Sequence, residues 1–339
     1  MRKIKIDERV KQLADRYREE IINNLSFSKL EEFEKDIDYG KKWLSDKKYE
    51  ENAKLYVKLI TNRIKLLQYA PPDKFIHIIG GFEGLIKGDE LGKLKLCYQW
   101  GKKVITKSFH EWIVEQMHYS EVRGRIFPKY IRELGIKTCV YCNSQFAITT
   151  KDGLATYELD HCWPKSKYPY LCTNFFNMQP CCGTCNKNKG DNSFNGDYSF
   201  LSIWQMPGGK GRLFGYRISD SSLAKYCINS QLEDLEIEYY KEETRESYEK
   251  TLADFEDKMK IIRTYAEHKD VVEEMIWKSK IYNSSYISSL KDAFSKEFGG
   301  GEGDWLRFFY GTYMKYDESH KRPLSELIQD IVEQLRTAE

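Results

Sequence analysis

The stretch Cys139-Val-Tyr-Cys142 forms one half of a paired motif, and Cys182-Gly-Thr-Cys185 forms the other half. A Cys-x-x-Cys turn lets two thiolates approach one ion, and two such turns supply the four sulfur ligands of a tetrahedral zinc site. The 39 residues between the two pairs exceed the roughly 15–20 of a compact zinc ribbon. The sequence therefore predicts a structural zinc site with a further segment inserted between its halves.

One alternative ligand stands beside the second pair. Cys181 could replace Cys182, but only Cys182 keeps the two-residue spacing to Cys185, so we select Cys182. We interpret the remaining cysteines as small buried residues: Cys97, Cys162, Cys172 and Cys227.

The inserted segment contains hard oxygen donors and a histidine. Residues 149–160 predict a hairpin with a Lys-Asp-Gly turn, followed by a strand that ends at Asp160-His161. From Cys185 the composition is polar and helix-like, so a hairpin followed by a helix would bring Asp160, His161 and Asn186 together. A carboxylate and an amide oxygen suit Mg²⁺, and a neutral histidine can take a proton from water.

With these residues in place, the segment resembles the HNH, or ββα-metal, endonuclease family. The family pattern combines two Cys-x-x-Cys pairs with Asp-His-x-x-Pro, a central Asn and a final Asn-x-x-Lys. Besides the cysteines, the matching positions are Asp160, His161, Pro164, Asn177, Asn186 and Lys189. The match covers about a sixth of the chain and implies a central ββα-metal module with a structural zinc.

The resemblance also implies residue roles. His161 would be the general base that activates water, Asp160 and Asn186 would hold one catalytic Mg²⁺ or Mn²⁺, and Asn177 would brace the loop that carries His161. Cleavage would leave a 3′-hydroxyl and a 5′-phosphate. The lysines expected to contact the substrate are Lys165, Lys187 and Lys189.

Two positions of the pattern leave alternatives. Asn174 is a rival for the central Asn, and we choose Asn177 because it lies five residues before Cys182, the spacing of the family. Many members have His where this chain has Asn186, which leaves the metal preference open.

A looser resemblance concerns Pro164-Lys-Ser-Lys-Tyr-Pro169. This stretch is similar to HNH proteins encoded beside ATPases in bacterial defence loci, of the Septu and retron-associated type. It implies an antiphage function and an ATPase partner. The leading hypothesis, motivated by Asp160, His161 and Asn186, is an endonuclease that acts on DNA. An RNA substrate such as a tRNA is an alternative, since attack on phosphorus uses the same groups. Another is a non-catalytic zinc-binding module that binds nucleic acid or protein in a larger complex.

The rest of the chain predicts mainly helices, and hence an α+β fold that is mostly α-helical. We expect a helical N-terminal region over 1–130, the nuclease module over 131–198 and a mainly helical C-terminal region over 199–339. Apolar residues recur at three- and four-residue steps on both sides of the module. Helical stretches are expected at 6–70, 109–117, 126–134, 200–206, 248–298 and 324–335, strands at 212–217 and 236–240, a turn at Pro207, and a break at Gly299.

Lysines alternate with apolar and aromatic residues between Lys93 and Lys107. This pattern could follow a phosphate backbone. A solvated helix face with buried Leu and Trp explains it more simply, and we favour that interpretation. Arg123, Arg125 and Lys129 are further candidate phosphate contacts, with helix solubility as the alternative.

Composition places the chain among ordinary globular proteins, with 41% hydrophobic and 31% charged residues. Net charge is +2, but residues 1–130 carry 27 Lys and Arg against 20 Asp and Glu, whereas residues 196–339 carry 20 against 27. Positive charge thus collects toward the cysteine pairs, which permits a phosphate-rich partner. No apolar run approaches the roughly 18 residues of a membrane span, and the charged N-terminus predicts no secretory signal. We therefore expect a cytoplasmic protein.

Overall fold

The computed structural model describes residues 1–205, 208–209, 211–240, 246–282, 284–294 and 302–337. Helices account for 58% and strands for 13%, so the fold is α+β and mainly helical, as the sequence predicts. The turn expected at Pro207 and the break expected at Gly299 begin outside the described residues. The region boundaries at 130 and 198 stay predictions.

The helices before the second cysteine pair are α1 (Glu8–Asn24), α2 (Ser28–Glu31), α3 (Phe33–Asp38), α4 (Glu50–Tyr69), α5 (Phe75–Glu83), α6 (Gly88–Leu91), α7 (Phe109–Gln116), α8 (Tyr119–Glu121) and α9 (Phe127–Leu134). The later helices are α10 (Gly183–Lys189), α11 (Asp220–Asn229), α12 (Glu246–Met259), α13 (Ile261–Tyr265), α14 (Lys269–Ile281), α15 (Ser284–Ala293), α16 (Glu302–Tyr310) and α17 (Ser325–Thr337). Within the described ranges, no helix combines the length and apolar character needed to cross a bilayer.

The strands form small sheets between these helices. They are β1 (Ile4–Lys5), β2 (Lys42–Leu44), β3 (Lys95–Trp100), β4 (Lys103–Ser108), β5 (Glu158–His161), β6 (Met178–Cys181), β7 (Trp204–Gln205), β8 (Gly215–Ile218) and β9 (Ile237–Tyr240). Strands β2, β3 and β4 form one antiparallel sheet in that order. The pairs β5–β6 and β8–β9 are antiparallel, and β1–β7 is parallel.

Helix α1, in the N-terminal region, contacts the segment between the cysteine pairs. The carboxylate of Asp7 caps it by accepting from the backbone N–H of Val10 at 2.9 Å. The buried Tyr17 ring packs edge-on against Phe127, with ring centroids 5.7 Å apart. Its hydroxyl donates to the carbonyl of Thr173 at 2.5 Å. The helical N-terminus therefore supports the segment that carries the candidate site.

The C-terminal region supports the first cysteine pair from another side. The Asn143 side chain accepts from the backbone N–H of Glu326 at 3.0 Å and donates to the carbonyl of Ser319 at 3.0 Å. The Tyr265 hydroxyl donates to the carbonyl of Cys142. These buried bonds fix the turn after Cys142 against the start of α17, as buried polar groups require.

The basic segment that we interpreted as a helix face is a β-ribbon instead. Strands β3 and β4 pair from Lys95↔Ser108 to Trp100↔Lys103. The tight connection contains Gly101, whose φ of +60° suits glycine. The β-branched run Val104-Ile-Thr106 favours a strand. The alternation was a period-two pattern, and the helical interpretation of it was wrong.

Two further predictions need correction. The strand ending at Asp160-His161 exists as β5, but it pairs with β6 rather than closing the predicted hairpin. The predicted Lys-Asp-Gly turn is present upstream of β5, with the bridge Thr149↔Ala155 and a backbone bond from Thr156 to Ile148 at 3.0 Å joining its arms. The helix expected at 200–206 is a 3₁₀ turn, Ser199–Leu201, followed by β7. Pairing partners distant in sequence decided both cases.

Candidate functional site

The two Cys-x-x-Cys turns meet in space. The sulfur atoms of Cys139, Cys142, Cys182 and Cys185 all lie within 4.8 Å of one another. All but Cys182 are buried. Cys181, the rival ligand, lies at the end of β6 and directs its thiol to the carbonyl of Glu158 at 3.7 Å. The four predicted cysteines therefore form a cluster that could hold a metal such as zinc.

Local structure shapes each turn. The chain reverses after Cys142 at Asn143, whose φ is +49° and whose N–H donates to the carbonyl of Cys139 at 2.9 Å. Cys182 is the N-cap of α10, and its sulfur accepts from the N–H of Cys185 at 3.4 Å. The N–H of Val140 donates to the carbonyl of Pro180 at 3.2 Å. This bond ties the first turn to β6, directly ahead of the second turn.

The thiols perturb one another. Hydrogen bonding to Cys139 is the main cause that lowers the pKa of Cys142 to about 7, and bonds from the other three thiols lower the pKa of Cys182. Burial raises the pKa of Cys139. A cysteine ligates zinc as its thiolate, so a dication at the centre would release the remaining thiol protons.

A polar cavity of about 230 Å³ lies beside this cluster. Asp160 and His161 reach it from the end of β5, and Asn186 reaches it from α10. Arg123 and Lys165 also line the cavity. The structure thus brings the carboxylate, the imidazole and the amide of the sequence prediction together in one place.

His161 is buried and has a defined tautomer. Its Nε2 lies 2.8 Å from the carbonyl oxygen of Cys172. A carbonyl can only accept, so Nε2 carries the hydrogen and Nδ1 keeps its lone pair. Burial lowers the pKa of His161 to about 3. The imidazole is therefore neutral at physiological pH, with Nδ1 able to accept a proton.

Asp160 is held by two donors. The Lys189 ammonium lies 3.0 Å from Oδ2 of Asp160 and donates to the carbonyl of His161 at 2.7 Å. The Tyr141 hydroxyl donates to the same carboxylate. Burial raises the pKa of Asp160, and the charge of Lys189 opposes that shift. Lys189 is 1% exposed, so it binds Asp160 internally rather than facing solvent.

Asn186 has a partner that sequence reasoning missed. Its Nδ2 donates to Oε2 of Glu158 at 2.6 Å, which leaves Oδ1 as an acceptor. Glu158 and Asp160 are two residues apart on β5, so they lie on the same face, and both line the cavity. That period-two spacing was the signal that could have identified Glu158.

The two asparagines compared in the sequence have separate partners. Asn177 accepts from the N–H of Trp163 at 2.8 Å and donates to the carbonyls of Trp163 and Leu171, both at 3.0 Å. Asn174 donates to the carbonyls of Leu67 and Ala70 at the end of α4. Asn177 therefore fixes the loop after His161, whereas Asn174 fixes the packing of that segment on the N-terminal helices.

The predicted substrate lysines differ in position. Lys165 is exposed and lines the cavity, with its Nζ 5.3 Å from the Tyr119 ring centroid. Lys187 is exposed on α10 but is not among the residues that line the cavity.

Comparisons with known proteins are sparse. No protein-family model and no solved structure matches the chain. A curated relative, the Septu protein PtuB of Bacillus thuringiensis, is 28% identical over 105 residues. The match covers 31% of this chain and 39% of that protein, less than half the relative's own length. The chain is thus weakly similar to a Septu protein and carries a four-cysteine cluster beside a polar cavity.

Proposed function

We propose that the chain is a metal-dependent HNH endonuclease that hydrolyses phosphodiester bonds of DNA in antiphage defence. The observation that carries the proposal is the convergence of Asp160, His161 and Asn186 on one cavity beside the four-cysteine cluster. The order strand, strand, helix in β5, β6 and α10 is the order that a ββα-metal module would have, which supports the proposal. The similarity to a Septu protein supports the defence role, and the resemblance to proteins encoded beside ATPases supports an ATPase partner.

His161 is the proposed general base. Its neutral Nδ1 can take a proton from water as that water attacks phosphorus, while the bond from Nε2 to Cys172 holds the ring. Asn177 is a positioning residue, because it bonds both backbone groups of Trp163 two residues along the chain. The bonds of Asn177 keep the imidazole aligned without a contact to the substrate.

The cavity offers oxygen donors for a catalytic cation. Asp160 and Oδ1 of Asn186 are hard ligands of the kind that Mg²⁺ or Mn²⁺ takes, with water completing the shell. Such an ion would supply stabilisation of the charge that develops on phosphate and on the leaving 3′-oxygen. The Lys189 ammonium lies 3.0 Å from the Asp160 carboxylate, so the ion would share this ligand with Lys189.

Positive side chains complete the proposed site. Lys165 and Arg123 line the cavity and are exposed, so they are placed to contact the phosphates of a bound strand. Lys187 would contact phosphate farther along α10. Lys189 has a positioning role, in place of the phosphate contact implied by the resemblance, because it bonds Asp160 and the backbone of His161.

Cleavage of supercoiled plasmid by the purified protein with Mg²⁺ or Mn²⁺ tests the proposal. His161→Ala should lower the rate by about 10²–10⁴-fold, the usual contribution of a general base. His77→Ala is the matched control, because His77 is exposed on α5, and it should cut at the parent rate.

A His161→Ala protein that cuts as fast as the parent would show the mechanism to be wrong. If the parent protein cuts RNA but not plasmid when both substrates are offered, the proposed function becomes that of an RNA nuclease. A parent that binds nucleic acid without cutting either substrate would favour the zinc-containing binding module.

A further inference from the structure

The β3–β4 ribbon, defined as residues 95–108, carries positive charge without negative charge. It contains four lysines and no Asp or Glu. Lys107 pairs with Glu115 at 2.8 Å. In the part of the chain that the structure describes, Lys95, Lys102 and Lys103 are exposed and form no ion pair. Three of the four charges therefore face solvent uncompensated.

The ribbon is also open to contact. In the sheet order β2-β3-β4, the outer edge of β4 has no strand partner among the described residues. Residues 103–106 are exposed on both faces, and Val104 is 59% exposed. A simpler explanation is that lysines along an exposed strand edge prevent another strand from pairing with it. That explanation accounts for the charge but not for where the ribbon lies.

The ribbon ends next to the candidate catalytic cavity. A second cavity of about 760 Å³ is lined by Lys107 and His110 from the end of the ribbon and the start of α7. Its lining also contains three glutamates, of which the second and third form ion pairs with Lys107 and Arg125: Glu111, Glu115 and Glu121. Lys165 and Asp191 line this cavity as well as the smaller cavity with Asp160 and His161. The two cavities are thus adjacent, and a polymer bound at the smaller one would extend toward the ribbon.

We infer that the β3–β4 ribbon docks in the major groove of B-form duplex DNA beside the site of cleavage. Strand β2 pairs with residues 96–98 of β3, so residues 99–104 project beyond it as a two-stranded tip, and a two-stranded ribbon fits the roughly 12 Å width of that groove. Lysines at its turn can bind phosphates, and Val104 can contact thymine methyl groups. Duplex RNA is excluded, because its major groove is deep and narrow.

This inference rests on the proposed function and names its substrate class. The test measures binding of a fluorescent 30-base-pair DNA duplex over a series of salt concentrations, in the non-cleaving His161→Ala background. Lys102→Ala with Lys103→Ala should lower affinity roughly tenfold or more and reduce the salt slope by about 2, since each lost phosphate contact contributes about 0.9. Both lysines lie at the exposed turn, and circular dichroism checks that the fold is intact.

The control variant carries Lys65→Ala with Lys280→Ala, which removes the same charge at two exposed positions elsewhere. It should keep the affinity and salt slope of its background. Duplex RNA of the same sequence should bind more weakly, with no dependence on Lys102 and Lys103. A single variant, Val104→Ser, removes both methyl groups without changing charge and should lower affinity for a thymine-rich duplex.

The outcomes separate this inference from the nuclease proposal. If the parent cuts plasmid, the lysine variant with His161 restored cuts it at the same rate, and the lysine variant in the His161→Ala background binds DNA as that background does, the docking inference is wrong and the nuclease proposal stands. If duplex DNA binding depends on the ribbon but no cleavage occurs, the docking inference stands and the nuclease proposal fails. If the lysine substitutions lower affinity for duplex DNA and duplex RNA equally, the major-groove assignment is wrong.

Discussion

The four-cysteine cluster and the Asp160–His161 cavity share helix α10, which carries Cys185 and Asn186, yet they differ in how their donors are arranged. The cluster has four like ligands within 4.8 Å, most of them buried. The cavity has a carboxylate, an amide and an imidazole, each bonded to another protein group, around about 230 Å³ of space. A closed donor set can only hold an ion, whereas an open one leaves room for water and substrate.

Removing metal from the closed site should have the largest effect. Structural zinc contributes on the order of 10 kcal/mol to folding, so chelation or Cys185→Ser should unfold much of the chain. Far-UV circular dichroism and thermal melting, with zinc restored afterward, measure this effect. Cys227 is exposed, so its interpretation as a buried residue was wrong; Cys227→Ser changes a thiol outside the cluster and should melt like the parent. If Cys185→Ser also melts like the parent, the cluster does not stabilise the fold.

Breaking the ion pair between Lys189 and Asp160 at the open site should lower the free energy of unfolding by less than metal removal does. Lys189→Met leaves the buried Asp160 carboxylate without its ammonium partner, and such a loss destabilises by about 3–5 kcal/mol. Adding Asp160→Asn should restore part of that stability, because no buried charge then remains. Lys187→Met, an exposed neighbour on α10, is the control. Urea unfolding of the four proteins gives the comparison, and equal stability of Lys189→Met and the parent would contradict it.

Substituting Asn177 and Asn174 distinguishes a residue that supports the candidate site from one that supports only the fold. Asn177→Ala and Asn174→Ala each remove a buried amide that makes three hydrogen bonds. Each should lower the free energy of unfolding by up to about 3 kcal/mol. Plasmid cleavage should fall only for Asn177→Ala, because only this amide bonds the loop after His161. Equal rates of cleavage by the two variants would contradict the positioning role of Asn177.

Acid should weaken the fold through His161. The unfolded histidine takes a proton near pH 6.5, but the buried imidazole does so only near its pKa of about 3. The stability that depends on a neutral His161 is fully present above pH 6.5 and is lost as the pH falls toward 3. Between pH 7 and pH 5 the loss is about 2 kcal/mol, and His161→Ala should lack it. Urea unfolding at both pH values measures the difference; equal losses in the two proteins would contradict the burial effect.

The cysteine cluster was predictable because its information is local. Two-residue spacing forces both sulfurs of a turn to one side, and that rule alone chose Cys182 over Cys181. The mainly helical character and the strand at Asp160 were likewise visible as periodic patterns. The hydrogen bond from Asn186 to Glu158 was less visible, because it joins a helix to a strand 28 positions away.

The two strand errors have different causes. The 93–107 segment alternates as a strand does, and its β3–β4 pairing across Gly101-Lys102 is local, so the signal lay within the segment itself. By contrast, β5 pairs with β6 across the loop that contains Asn174 and Asn177. Pairing of that kind depends on contacts that the chain brings together only on folding, so patterns within a short window did not identify the partner.

The sequence by itself determined which residues can supply the chemistry: four thiols at paired spacing, and the Asp160, His161 and Asn186 donors between and after them. Only the tertiary structure decided where those groups point. It turned Lys189 inward onto Asp160, fixed the His161 tautomer through Cys172, and extended β3 and β4 as a basic ribbon near the cavity. The reason is physical: ligand spacing is a property of neighbouring residues, whereas burial and orientation depend on packing between distant ones.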